Sequence, residues 1–214
     1  MKEAILALNG SLHNNCDKYN SILSNKEIII AADGGANLLS QLNICPDLII
    51  GDMDSLTKEK LNNYRKKGVK TIKYPVKKEK TDGELAIDYC LKNSYDKVFI
   101  IGSTGGRIDQ QLANIFLLEY ASRLGLNAVI KEPGLEIGII TDKKNIKNKA
   151  KNKLSLLPIS EVVSGINISG CKYLLNDATL YRFKTRGISN EISSHKAVIS
   201  IKNGILLYII NSVE

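Results

Sequence analysis

The first 126 residues alternate between short apolar runs and stretches whose apolar positions recur with helical spacing. Ala4 to Leu8 is an apolar run closed by Asn9-Gly10-Ser11, and Glu27 to Ala32 is followed by Asp33-Gly34-Gly35 and then the helical pattern ANLLSQLN. Leu48 to Ile50 ends at Gly51, and TKEKLNNYRKKG after it predicts an exposed helix with Thr57 as cap and Gly68 as stop. A strand from Val69 to Tyr74 stops at Pro75, and Thr81 with Glu84 has the spacing of a capping box, which places Asp82 in the first helical position. Lys97 to Asn114, KVFIIGSTGGRIDQQLAN, predicts a strand, a loop carrying Gly102, Gly105 and Gly106, and a helix.

Strands that alternate with helices imply a mainly parallel sheet. Beyond residue 126 the helical spacing disappears and β-rich segments follow: AVIKE, LEIGIIT, KLSLLPI, GINISG, TLYRF and KAVISIKNGILLYII. The prediction is therefore an α/β domain over 1–126 and an all-β domain over 127–214. Within the latter, Asn203-Gly204 reads as a hairpin turn and the basic stretch 142–153 as an exposed loop.

Composition narrows the class of protein. Hydrophobic residues make up 43% and charged residues 24% of the 214 positions, as in an ordinary globular protein. No apolar run approaches the ~20 residues that span a bilayer, and MKEAILALNG lacks the features of a secretion signal, so the expected location is the cytoplasm. Cys16, Cys45, Cys90 and Cys171 are scattered without a C-x-x-C pair, and the histidines are His13 and His195 alone. Any metal site should then be built from oxygen ligands. The net charge of +8 suits an anionic partner, but the lysines are dispersed and no basic-aromatic interleaving is present, which argues against nucleic acid.

The candidate chemistry lies just past the predicted strands. In PDLIIGDMDSL, Asp52 and Asp54 stand two residues apart, so in an extended chain both carboxylates project the same way and could seat a hard divalent ion. Asp33, Glu79, Asp82, Arg107 and Asp109 also fall beyond strand ends, the edge at which parallel sheets bind ligands. The loop GSTGGRID could cradle phosphate oxygens, although it is neither a P-loop nor a G-x-G-x-x-G fingerprint. Lys77, Lys78, Glu79 and Lys80 could equally be no more than a solvated loop. Acids for a metal, a glycine loop for phosphates and an arginine or lysine to offset charge are the parts of phosphoryl transfer.

AADGGANLL, PDLIIGDMDSL, EKTDGELAIDYC and GSTGGRIDQQLAN, in that order and followed by TRGISNE in the β-rich half, resemble the thiamine pyrophosphokinase (thiamine diphosphokinase) family. The resemblance covers nearly the whole chain. It implies a C-terminal β-sandwich, a homodimer with active sites at the subunit interface, and transfer of pyrophosphate from ATP to thiamine with Mg2+, giving thiamine diphosphate and AMP. It further implies that Asp52, Asp54 and Asp82 work with Mg2+ and, with Arg107, on the reacting phosphates, with Glu79 a further metal ligand. Asp33, Gly34, Thr104, Gly105, Gly106, Arg107, Asp109 and Gln110 are expected at ATP, and Ser189, Asn190 and Asp82 at thiamine. Lys78-Glu79 replaces a frequent Lys-Asp, Gln110 a frequent His, and Leu174 a frequent Pro. Two other readings are a pyrophosphokinase for another alcohol, such as a hydroxymethylpterin, and a non-enzymatic nucleotide- or nucleic-acid-binding protein. The Ser189-Asn190 pair speaks against the first and the joint presence of Asp52, Asp54 and Asp82 against the second.

Overall fold

The computed structural model describes residues 1–12 and 16–213, without the side chain of Cys16; His13 lies outside the described residues. The chain forms two compact units, Met1–Pro133 and Gly134–Glu214.

In the first unit the strands are β1 (Glu3–Ala7), β2 (Ile28–Ala32), β3 (Leu48–Gly51), β4 (Lys70–Lys73), β5 (Lys97–Ile101) and β6 (Asn127–Glu132). Between them run α1 (Cys16–Leu23), α2 (Gly35–Gln41), α3 (Lys58–Lys66), α4 (Asp82–Lys92) and α5 (Ile108–Arg123). The strands pair in parallel in the order β6-β5-β1-β2-β3-β4. β1 and β3 are buried over nearly their whole length, as strands covered on both faces must be. β4, at the edge, is only half-buried and carries Lys70 and Lys73, charges that discourage further strand pairing.

Local chemistry sets the helix starts. Thr57 accepts a hydrogen bond from the Lys60 N–H at 3.2 Å, and Gly68, at φ +82°, ends the turn after α3. Thr81 caps α4 with the full capping box: the Glu84 N–H donates to its hydroxyl and the Thr81 N–H donates to the Glu84 carboxylate. α1 was not expected from the sequence. Among its described side chains Tyr19 and Leu23 are buried and Ile22 packs partly buried beside them, but the helix spans eight residues, a short stretch for a helical period to stand out.

The second unit is a β-sandwich. Its strands are β7 (Leu135–Ile140), β8 (Lys143–Lys147), β9 (Lys153–Pro158), β10 (Val162–Ser169), β11 (Leu175–Tyr181), β12 (Asn190–Glu191), β13 (Lys196–Ser200) and β14 (Leu206–Asn211). One antiparallel sheet has the order β12-β9-β14-β7 and the other β11-β10-β13-β8. Leu154, Leu156 and Leu206 from the first sheet and Val163, Ile166, Ala197 and Ile199 from the second share one buried core.

Three expectations change. The boundary lies after Pro133 rather than at 126/127, because AVIKE is β6 and pairs in parallel with β5. Part of the basic stretch 142–153 is strand: β8 pairs with β13 and turns Ile146 into the core. Asn203-Gly204 is not a hairpin turn, since β13 pairs with β8 and β10 whereas β14 pairs with β7 and β9; the dipeptide carries the chain from one sheet to the other.

Candidate active site

Strand ends of the first unit place a group of acids side by side. Asp33 follows β2 directly; its N–H donates to the Ile50 carbonyl at 2.8 Å and its own carbonyl receives the Ala36 N–H at 3.1 Å, turning the chain into α2. That turn needs φ +39° at Asp33, an uncommon conformation for a residue with a side chain. Gly51 ends β3 at φ +148°, and a Cβ there would lie 2.9 Å from Asp33 Cβ and 3.0 Å from Asp82 Cγ. Only glycine lets the two carboxylates close over that backbone.

Carboxylate oxygens of Asp33, Asp52 and Asp82 lie within 4.8 Å of one another. Lys78 reaches into this group, its Nζ 2.7 Å from Asp52 Oδ2 and 3.1 Å from Asp82 Oδ1, with 14% of its side chain exposed. The contact to Asp82 is an ion pair without hydrogen-bond geometry, and the buried Oδ1 atoms of Asp33 and Asp82 accept no hydrogen bond. Burial raises the pKa of Asp33, and the neighbouring Asp54 and Asp52 charges add to the shift. Burial also raises Asp82, against the opposing pull of Lys78. The hydrogen bond from Lys78 holds Asp52 below its ordinary value. Burial alone would lower Lys78, but its bonds to Asp52 and Asp82 prevail and raise it.

These oxygens fit a hard divalent cation. Three carboxylates converge, and the Asp33 side chain, 7% exposed, has a buried oxygen with no partner. Such an oxygen is costly to bury unless a cation completes it.

Beside the acids lies a cleft of about 450 Å3, lined among others by Asn9, Gly10, Asp33, Gly34, Asp82, Gly105 and Gln110. It opens where the sheet order reverses: β2 lies on one side of β1 and β5 on the other, the usual position of a ligand crevice. The loops after β1 and β5 touch backbone to backbone, the Gly10 N–H donating to the Gly102 carbonyl at 2.8 Å and the Ser11 N–H to the Thr104 carbonyl at 2.9 Å. A Cβ on Gly10 would lie 2.3 Å from the Gly102 oxygen, so this contact requires glycine. Buried Glu132 accepts both the N–H and the hydroxyl of Ser103, at 2.9 and 3.1 Å, and fixes the base of the glycine loop.

The residues expected from the sequence fall into three groups. Asp33, Gly34, Asp52, Asp82, Thr104, Gly105, Gly106 and Gln110 stand at the acid group or along the loops of the cleft. Arg107 and Asp109 pair with each other across two hydrogen bonds of 3.1 and 2.5 Å on an exposed helix start. Asp54 and Glu79 are exposed and outside the group of three acids, so the expected metal set of Asp52, Asp54, Glu79 and Asp82 is not the one that converges. Met53, at φ +67°, breaks the extended path that would have aligned Asp54 with Asp52; instead the Asp54 N–H donates to Asp52 Oδ1 at 3.2 Å. Asp33, expected on this edge and at the nucleotide, stands with Asp52 and Asp82, and Lys78, from the stretch that could have been a solvated loop, reaches them.

Ser189 and Asn190 belong to the second unit. Ser189 is exposed at φ +60°, and its N–H donates to the Ser155 hydroxyl at 3.1 Å. The buried Asn190 amide is spent on Tyr173, accepting from its N–H at 3.0 Å and donating to its carbonyl at 2.7 Å.

Two family models match the chain: the thiamin pyrophosphokinase catalytic domain over residues 19–130 and the thiamin pyrophosphokinase vitamin B1 binding domain over residues 142–206. The chain is 30% identical over 182 residues to thiamine pyrophosphokinase of Bacillus subtilis, covering 84% of this chain and 85% of that protein. The crystal structure of thiamine pyrophosphokinase from Bacillus subtilis superposes with a TM-score of 0.86 at 27% identity, covering 100% of both chains. That of thiamin pyrophosphokinase from Candida albicans, at 19% identity, shares the fold with a TM-score of 0.83 over 99% of this chain and 89% of its own.

Proposed function

The chain belongs to the thiamin pyrophosphokinase family and transfers a pyrophosphoryl group to thiamine to give thiamine diphosphate; from that premise we propose that the donor is ATP, bound with Mg2+ in the cleft of the first unit. The observation that carries this reading is the convergence of Asp33, Asp52 and Asp82, with a buried, unpartnered Asp33 oxygen, on the rim of a cleft walled by the glycine loop.

Asp33, Asp52 and Asp82 would hold Mg2+, which when bound supplies positive charge against the donor phosphates. The backbone around Gly10 and Gly105 gives the polyphosphate room for close approach, and Arg107 would offset its charge by exchanging its pair with Asp109 for a phosphate. The hydroxyethyl oxygen of thiamine attacks the β-phosphorus and AMP leaves. Much of the work is positioning: the bonds of Ser103 to Glu132 and of Gly10 to Gly102 fix the two loops against which the polyphosphate would lie.

Thiamine recognition is assigned to the second unit, around Ser189, in the segment matched by the vitamin B1 binding model. Asn190 serves there by fixing the backbone of Tyr173, a residue 61% exposed. A homodimer accounts for the apolar stripe of Ile108, Leu112 and Phe116 along α5, exposed by 70, 49 and 56% and spaced four residues apart. No helix of the described residues is long and apolar enough to cross a membrane, and the reading places the enzyme in the cytoplasm without a nucleic-acid partner.

The test is to incubate the purified protein with ATP and Mg2+, with and without thiamine, and to separate the products by chromatography. Thiamine-dependent AMP matched by thiamine diphosphate, and abolished by EDTA, is the expected result. ADP in place of AMP, or turnover that survives EDTA, overturns the corresponding part of the reading.

A further inference from the structure

We propose that Lys78 is a built-in counter-ion of the acid group: its ammonium occupies the position of the divalent cation and must swing out before the cation binds. The inference rests on the reading of Asp33, Asp52 and Asp82 as the metal-holding set.

Three carboxylates crowded within 4.8 Å repel one another in a partly buried site. Lys78 relieves this repulsion with contacts of 2.7 Å to Asp52 and 3.1 Å to Asp82. The relief is incomplete, because one ammonium faces three carboxylates and the buried Asp33 Oδ1 stays without a partner. A divalent ion offers twice the charge and can serve all three, so it outcompetes the ammonium once the cost of displacing Lys78 is met.

Displacement is structurally inexpensive. Lys78 lies between β4 and α4 in a stretch without regular secondary structure, and its neighbours Lys77 and Glu79 are exposed. Rotation of one flexible side chain therefore empties the position without unpacking any element. The released ammonium needs a new anion. A bare metal ion brings none, whereas a metal ion arriving with a polyphosphate does, so Lys78 weakens binding of free metal relative to the metal–nucleotide complex.

The first experiment titrates the metal-free protein with Mn2+ alone and follows free Mn2+ by electron paramagnetic resonance, in wild type, Lys78→Met and Asp82→Asn. Removing an ammonium that the cation must otherwise displace should tighten Mn2+ binding about tenfold or more in Lys78→Met. Equal or weaker affinity in that variant, or no Mn2+ binding by either protein, overturns the proposal. Asp82→Asn separates the two readings: if it binds Mn2+ as wild type does, the metal set itself is wrong and the counter-ion role falls with it. If it loses binding while Lys78→Met gains nothing, only the role of Lys78 is refuted. A second measurement uses the wild-type protein and is independent of whether a variant folds. Acetylation by acetic anhydride, read by mass spectrometry against exposed Lys77, should rise at Lys78 when Mn2+ is added without nucleotide. Labelling unchanged by Mn2+ also overturns the proposal.

Discussion

Gly51→Ala tests whether close approach over the end of β3 holds the acid group together. Gly51 sits at φ +148°, where a side chain costs about 1–3 kcal/mol of backbone strain. The new methyl would also lie 2.9 Å from Asp33 Cβ and 3.0 Å from Asp82 Cγ, and relieving such overpacking costs about 1–3 kcal/mol more. At roughly 2–4 °C per kcal/mol for a chain of this size, the melting temperature should fall by about 5–20 °C. The carboxylates must part to admit the methyl, and misplacement by about 1 Å is worth roughly 100-fold in turnover. Gly68→Ala is the control: its φ is +82° but nothing lies within 4 Å of the added carbon, so it carries the strain alone and leaves activity unchanged. The assays are differential scanning calorimetry and thiamine-dependent AMP release. If Gly51→Ala melts with Gly68→Ala and keeps kcat within twofold of wild type, steric closure over Gly51 is not what positions Asp33 and Asp82.

Asp33→Asn should raise the melting temperature in EDTA at pH 7 while lowering turnover about 100-fold. Burial raises the folded-state pKa of Asp33, so the native state loses stability as pH rises through the interval above the unfolded value; the gain from Asn should vanish below the ordinary carboxylate range, and a gain that persists there refutes the assignment. Asp82→Asn should cut kcat about 100-fold and Glu79→Gln less than about twofold, because Glu79 is exposed and apart from the acid group; comparable losses in steady-state assays would return Glu79 to the site. If the proposed dimer forms through α5, Ile108→Glu with Leu112→Glu should convert it to monomer in sedimentation velocity, and an unchanged dimer would locate the interface elsewhere. Asn190→Ala removes the hold on Tyr173 and should raise KM for thiamine several-fold with KM for ATP unchanged; a loss in kcat alone would argue against a recognition role.

What the sequence disclosed was mostly local. Thr81 with Glu84, Thr57 with Gly68, and the apolar runs before Asp33 and Gly51 act over a few residues, and each predicts its helix start or strand end. The alternating pattern also placed the acids at one edge of a parallel sheet. Three failures share a different cause. The pairing of β6 with β5, of β8 with β13, and the separation of β13 from β14 across Asn203-Gly204 depend on partners far along the chain, which period-two patterning does not name. At the site, alternation assumed an extended chain through Asp52 and Asp54, and Met53 at φ +67° breaks it. Lys78 and Glu79 are adjacent in the same irregular loop, so no periodicity tells which of them turns inward.

The stability of the acid group and its use pull in opposite directions. Asp33 has an uncommon backbone angle, buries an oxygen without a partner and has a raised pKa, while Asp52 and Asp82 rely on one shared ammonium. Each feature costs the metal-free fold something, and packing alone could avoid all of them with smaller neutral residues. In the reading proposed above, a divalent cation would offset the costs together, because it would give the unpartnered oxygens a ligand and outweigh the repulsion that Lys78 only reduces. A protein built this way would be less stable empty than loaded. The free energy withheld from folding would then be available to bind a doubly charged ion and the polyphosphate that accompanies it, the discrimination that the proposed site requires.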